Sequence, residues 1–417
     1  MTKNDTLALF GGTPTIPTSV VHPAWPVITD NYVQAIDNQL HESISIYNRS
    51  GVIEEFEEKF ASIHNKRYAL LNNSGTNSIW SLFVGAGLLP GDEVICPTYT
   101  FFATNTPLLS SGLVPVFCDA DDSGNMDPDD LVKRITPQTK AIMVTHMWGY
   151  PAQMHKIQAI AKRHKLLLFE DCSHAHMASL DGELVGTFGD AAAWSLQGQK
   201  NITGGEGGVV VTDNQEVYIR ANLLGHYNKR CKQEIPPEHP LHEFSVTGMG
   251  LKMRSHPLAV AFAYEMLDKH QEYQEMRDYC AQEYEQLFAE YDFIETLPHE
   301  NTKPSWYAFI LKYKPRGGIT REDFMHMLHA EGLVEVDIPG STGPNHKLPL
   351  FKKPWVLFPQ FYKSGTTFNT GEDFPQAEDF YQSIIKLPTW TQETDKQLLT
   401  YYLTGLRKVL DHVNRTK

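Results

Sequence analysis

No stretch of this 417-residue chain is apolar for long enough to cross a bilayer as a helix, which takes about 20 residues. Ahead of Gly11-Gly12 the chain offers only Leu7-Ala8-Leu9-Phe10, too short for the core of a signal peptide. Cysteine is scarce too: Cys96, Cys118, Cys172, Cys231 and Cys280 are odd in number, scattered, and form no C-x-x-C pair. A disulfide-stapled secreted fold is thereby excluded, and a reducing, cytoplasmic setting without membrane attachment is expected. Positive charge is in short supply: 36 Lys and Arg face 50 Asp and Glu, a formal net charge of −14. That balance disfavours a nucleic-acid partner, because phosphate backbones demand a basic surface. It leaves room for a local basic pocket, so a phosphorylated small molecule stays open as a ligand. Internal repeats and low-complexity tracts are absent as well.

What is present belongs to an ordinary globular protein, with 41% hydrophobic and 21% charged residues. The length exceeds what one core usually organises, so two domains are expected. From about residue 66 to 212 short apolar runs alternate with amphipathic stretches: Glu93 to Cys96, Val114 to Phe117, Ala141 to Val144, Leu166 to Phe169 and Gly208 to Val211. This alternation predicts an α/β layer with a mostly parallel central sheet between helices. Asp127-Pro128 reads as a cap and first-turn proline, and Gln153 to His164 as a crossover helix. After Pro257 a long helix runs through Leu258 to Ala263 and into a charged stretch reaching Glu290. We therefore expect a large domain over residues 1–266 and a smaller C-terminal α/β domain over 267–417. Pro339 to Thr370, rich in Gly, Pro, Asn and Lys, predicts loops that border an active site.

The chemistry concentrates in two segments. One is Ala193-Trp194-Ser195-Leu196-Gln197-Gly198-Gln199-Lys200, followed by the glycines 204, 205, 207 and 208; the other is Phe169-Glu170-Asp171-Cys172-Ser173-His174. Together they read as a pyridoxal 5′-phosphate site, in which a lysine amine condenses with the cofactor aldehyde and a carboxylate keeps the pyridine nitrogen protonated. Lys200 is the amine and Asp171 the carboxylate. Two unit charges about 4 Å apart at an effective dielectric near 20 interact by roughly 4 kcal/mol. That equals roughly three pKa units, so one well-placed aspartate suffices. Taken singly, Lys200 also reads as a solvated surface lysine and Asp171 as an ordinary strand-end acid. Their placement favours the site, since Asp171 follows the buried-strand run Leu166 to Phe169, at the edge where open parallel sheets bind ligands.

Asn73-Ser74-Gly75-Thr76-Asn77-Ser78 lies between an apolar run and a helix-like segment, which points its amides at a helix amino terminus where a phosphate binds. Alone the same residues read as a plain helix cap. Phe101 is placed to stack on the pyridine ring, although an aromatic at a strand end is also ordinary core. His174 is placed to hydrogen-bond the cofactor's phenolic oxygen, and Ser195 to donate to its phosphate. Two other patterns read as structural. Asp119 to Gly124 with Asp130 approximates a calcium loop, but a strand precedes it and position twelve carries Asp, so it reads as a solvated acidic loop. Cys172, His174 and His176 alternate as metal ligands do but lack a fourth member, and no metal is expected.

With these residues assembled, the chain resembles the DegT/DnrJ/EryC1/StrS sugar aminotransferases, within the fold-type-I pyridoxal phosphate enzymes. The resemblance rests on Ser74-Gly75-Thr76, Pro97 to Phe101, His146 to Pro151, Glu170-Asp171, and Ser195 through Gly208 with Lys200. It implies a homodimer with active sites at the subunit boundary and an asparagine from the partner on the cofactor phosphate, within a Gly-x-Asn-x-Arg segment. Here that segment is Gly250-Leu251-Lys252-Met253-Arg254, so Lys252 offers a cation in place of an amide. Phe101 stands where relatives commonly carry tryptophan, and Asn77 where they carry alanine. Relatives that dehydrate their sugars have histidine at the position of Lys200. The resemblance also implies glutamate or glutamine as amino donor and a keto sugar as acceptor, most often nucleotide-linked. A keto-cyclitol acceptor, dehydratase or lyase chemistry, and a non-catalytic scaffold are the alternatives; the opening Gly11-Gly12-Thr13-Pro14 is shared by sugar and cyclitol enzymes alike.

Overall fold

A computed structural model describes residues 6–416. Its centre is a seven-stranded sheet built from β1 (Tyr68–Asn72), β2 (Glu93–Pro97), β3 (Val114–Cys118), β4 (Thr139–Thr145), β5 (Leu167–Asp171), β6 (Ala191–Ser195) and β7 (Gly208–Thr212). The strand order is β1-β7-β6-β5-β4-β2-β3. β7 runs antiparallel to both of its neighbours, and the other pairings are parallel. The apolar runs are continuous because both faces of the sheet are covered. Alternate residues therefore enter different cores: Leu70, Val94, Met143 and Val210 face one side, while Leu71, Ile95, Ile142 and Val211 face the other. Burial of each such side chain stabilises the fold by roughly 1.5–3 kcal/mol.

The strand ends decide where a site can form. Asn72, Pro97, Thr145, Asp171 and Ser195 are the last residues of their strands, so they share the carboxyl edge. β7 starts at that edge with Gly208, which lies in register between Asn72 and Ser195. Helix α1 (Gly75–Gly85) leaves the same edge directly after β1.

Helix α2 (Pro257–Phe288) is continuous over 32 residues, about 48 Å at 1.5 Å per residue. Its first half buries Val260, Ala263 and Met266 against the outer face of the β1–β7–β6 region, and its second half buries Met276, Tyr284 and Phe288 in the core shared with the C-terminal part. The boundary expected at residue 266 thus lies inside one uninterrupted helix. Beyond it, β8 (Ile294–Thr296), β9 (Phe309–Tyr313) and β10 (Ile384–Leu387) form an antiparallel sheet in the order β8-β9-β10. Helices Arg321–Ala330 and Lys396–Arg415 add Phe324, Leu328, Tyr402 and Leu406 to its core. The amino-terminal segment joins this part too: Leu7 and Ile16 are buried there, and Ile16 N–H donates to the Glu331 carbonyl at 2.9 Å.

The short strand Thr342–Pro344 pairs antiparallel with Tyr99–Phe101, placing Thr342 opposite Phe101. This brings the start of the Pro339 to Thr370 region to the carboxyl edge, as its composition suggested. One expectation fails. The acidic loop after β3 is not solvated, for Asp119, Ser123, Asn125 and Asp130 are buried. Asp122 alone of its first three acids is exposed, while the others are held by donors: Asp119 Oδ1 accepts from Ala377 N–H at 2.9 Å, closing the amino end of helix Pro375–Ser383, and Asp121 accepts from Ser123 Oγ at 2.6 Å and Gln153 Nε2 at 2.8 Å. Among the described residues no helix is long and apolar enough to cross a membrane.

Candidate active site

Ser74, Gly75, Thr76, Phe101, Asp171, His174, Ser195 and Lys200 line one cavity of about 430 Å³ at the carboxyl edge of the sheet. Two glycines permit the close approach that gathers them. A Cβ at Gly75 would sit 2.6 Å from Ser195 Cβ, and one at Gly208 would sit 2.5 Å from the Ser74 carbonyl oxygen. The amino end of α1 therefore seats against the end of β6 only because both positions lack side chains. Ser74 Oγ caps the helix by accepting from Asn77 N–H at 3.2 Å, so the plain-cap reading of this serine holds while the residue also faces the cavity. The amides of Gly75 and Thr76, in the first turn, have no carbonyl partner within the helix. Lys252 is elsewhere: it is exposed, outside this cavity, and its carbonyl accepts from Asn73 Nδ2 at 3.3 Å.

Asp171 is 3% exposed at the end of β5. Its Oδ2 accepts from Thr104 Oγ1 at 2.6 Å and its Oδ1 from Ser173 N–H at 3.0 Å. Thr104 in turn contacts Thr100 Oγ1 at 2.9 Å, and Thr145 stands directly beside Asp171 in the strand register. These donors fix the carboxylate's orientation. Lys200 lies in the loop after β6, with 9% of its surface exposed. Burial pulls its ammonium down from 10.5 to about 8, with the Asp171 charge opposing the shift. Its backbone carbonyl accepts from the Trp25 indole N–H at 3.2 Å, and the next residue, Asn201, donates through Nδ2 to the Ser305 carbonyl at 2.6 Å.

Tyr307, which the sequence reading missed, lies flat on His174, with ring centroids 4.0 Å apart and planes 7° from parallel. The Lys200 amine stands 4.7 Å from the same tyrosine ring. Burial holds His174 well below the usual imidazole range, aided by Lys200, His176 and Lys386, and its buried Nδ1 has no partner among the described residues. Thr104, Trp148, Glu206, Asp337 and Lys386 also line the cavity without having been singled out. Tyr307, Asp337 and Lys386 arrive from the C-terminal part, and no local pattern marks them.

The alternating Cys172, His174 and His176 do not converge. Instead His146, Glu170 and Cys172 come together, every one of them buried. Glu170 accepts from His146 Nε2 at 3.1 Å and from the amides of Gly186 and Gly189 at 2.7 Å each, and His146 Nδ1 accepts from Ala152 N–H at 3.0 Å. Those atoms serve to brace the strand end beside Asp171.

The model of the DegT/DnrJ/EryC1/StrS aminotransferase family matches residues 28–400. The chain belongs to this family. It is an aminotransferase, and its fold is that of the pyridoxal phosphate-dependent transferases. Among relatives of this DegT/DnrJ/EryC1/StrS member is a putative L-glutamine:3-amino-2,3-dideoxy-scyllo-inosose aminotransferase from Micromonospora echinospora, 30% identical over 91% of this chain and 86% of that protein. The spore coat polysaccharide biosynthesis protein SpsC of Bacillus subtilis is 27% identical over 89% of this chain and 92% of its own length. Among solved structures, DesI, crystallised in the presence of its TDP-sugar product, is 26% identical, covers 99% of each chain and superposes with a TM-score of 0.78.

Proposed function

We propose that this aminotransferase holds pyridoxal 5′-phosphate in the cavity of Lys200 and Asp171 and moves an amino group from glutamate or glutamine to a keto sugar, most often a nucleotide-linked one. The observation that carries the reading is the convergence of a buried, partly neutral amine, a buried carboxylate held by two donors, and a helix amino terminus in one cavity. The donor set suits the cofactor: the glycine-lined approach of α1 to Ser195 makes a cradle for a phosphate, and His174 Nδ1 is a buried ring nitrogen without a partner among the described residues. Bound there, the cofactor supplies an aldehyde and an electron-accepting ring.

The chain's own residues do the rest. The first-turn amides of α1, with Thr76 and Ser195, bind the phosphate. Asp171, oriented by Thr104 and Ser173, holds a proton at the pyridine nitrogen. Phe101, which lines the cavity, would cover the bound ring and help exclude water. Lys200, when not bonded to the cofactor, moves a proton at the substrate carbon that carries the amino group, and an amine with a pKa near 8 is suited to that work at neutral pH. The site is completed in a homodimer, where Lys252 of one subunit reaches the phosphate held by the other.

A keto-cyclitol acceptor is the second reading. It is favoured by the inosose aminotransferase relative, which aligns with 91% of this chain. Lyase chemistry differs in one testable respect, since it does not need the pyridoxamine form that an amino donor generates. Purified protein is expected to carry a visible cofactor band that L-glutamine or L-glutamate bleaches without any acceptor present. A band unaffected by donors contradicts amino transfer; no band at all, in wild type or Lys200→Ala, returns the protein to the scaffold reading.

A further inference from the structure

A ping-pong aminotransferase must bind an anionic amino acid and an uncharged sugar ring at the same place, and one charge cannot serve both unless it can be neutralised. Among the described residues lining the cavity, Lys200 and Lys386 are the two that carry an amine, and no arginine lines it. Lys200 is committed to the reaction. Lys386, on β10, lines the cavity from the C-terminal part. Its Nζ stands 3.3 Å from Asp337 Oδ2, and the side chains are 32% and 57% exposed. The two backbones are locked as a bridge: Asp337 N–H donates to the Lys386 carbonyl at 3.0 Å, and Lys386 N–H to the Asp337 carbonyl at 2.8 Å. Only side-chain rotation is then needed to break the ion pair.

We infer that Lys386 is the carboxylate-binding residue for the amino donor, and that Asp337 is an internal stand-in which takes the place of the donor's carboxylate when the uncharged sugar ring of the acceptor occupies that part of the cavity. The following points support the assignment. Lys386 is the cation left after Lys200 is spoken for. An incoming carboxylate left unpaired in the cavity pays a desolvation cost that a pairing cation offsets. The Asp337 carboxylate, more exposed than its partner, returns to water readily once displaced. Lys386 also adds to the lowering of the His174 imidazole, after burial, Lys200 and His176. The exchange solves the dual-substrate problem without a second cation, because Lys386 is paired in both half-reactions.

This inference rests on the amino-transfer reading, so the experiment separates the two. Full-length, cofactor-loaded protein is titrated calorimetrically with glutarate, which has the carbon skeleton of glutamate without its amine. Lys386→Gln is expected to weaken glutarate binding by about tenfold or more, as befits the loss of a charge-assisted contact. Lys386→Arg is expected to retain most of the affinity, and Asp337→Asn to tighten it a few-fold by removing the competitor. Unchanged affinity in Lys386→Gln, or equal weakening in Asp337→Asn, overturns the assignment. If the wild type bleaches its cofactor band with L-glutamate while Lys386→Gln titrates like wild type, only the Lys386 inference falls; a wild type indifferent to both L-glutamate and L-glutamine overturns both.

Discussion

Lys200 and Asp171 could be picked out in the sequence as candidates because their chemistry is uncommon and each lies beside a recognisable strand, and the fold brings both to one cavity. Their neighbours could not. Thr104 donates to Asp171 from the short helical turn Phe102–Thr104, 67 positions earlier in the chain, a relation that no local spacing encodes. Tyr307 and Lys386 are brought in by the packing of the C-terminal part, so their roles emerge only with the tertiary fold. At this scale the account makes a prediction about protons. Burial disfavours the ammonium form of Lys200 more than Asp171 favours it, so the neutral, nucleophilic fraction rises with pH through about 8 instead of 10.5. Uptake of pyridoxal phosphate by the cofactor-free protein is therefore expected to accelerate with pH and reach half its maximal rate near pH 8. Stopped-flow measurements across pH 6.5 to 10 check this; a rate still climbing steeply at pH 10 would show an unshifted lysine.

At the scale of elements, the fold was legible where hydrophobic runs are long and regular. All five apolar runs became strands of one sheet, the helix after Pro257 formed, and Asp127 caps its helix by accepting from Asp129 N–H. The direction of β7 was not legible, because a buried strand looks the same in either orientation. That direction matters, since it starts β7 at the functional edge and puts Gly208 between Asn72 and Ser195. The acidic loop after β3 misled for a related reason: its charge suggested solvent, but its partners are backbone amides distant in sequence. Gly208→Ala tests the packing argument. The added methyl meets the Ser74 carbonyl and Ser78 Oγ, which belong to the start of α1 and cannot yield without moving it. A loss of about 1–3 kcal/mol in unfolding free energy is expected, together with weaker binding of pyridoxal phosphate, read by denaturant titration and by fluorescence. Unaltered cofactor affinity would mean that the seat of α1 does not form the phosphate cradle.

For the whole molecule, the candidate cavity joins two parts of the chain, with the large sheet supplying the amine, the carboxylate and the helix terminus while the C-terminal part supplies Tyr307, Asp337 and Lys386. Helix α2 couples the parts by packing into both cores. Lys252, exposed and outside its own cavity, is accounted for by the homodimer we propose. Mixing Lys200→Ala with Lys252→Glu subunits is expected to restore about a quarter of wild-type turnover when subunits reassort freely, because each mixed dimer holds one intact site. No recovery on mixing, with dimers confirmed by light scattering, would place Lys252 outside the shared site. The central claim is that Lys200 is the residue bonded to the cofactor in the cavity it shares with Asp171. Borohydride reduction of the loaded protein followed by peptide mapping tests it most directly. The account predicts a single pyridoxyl-lysine at Lys200; the label on any other lysine, or no label at all, would contradict it.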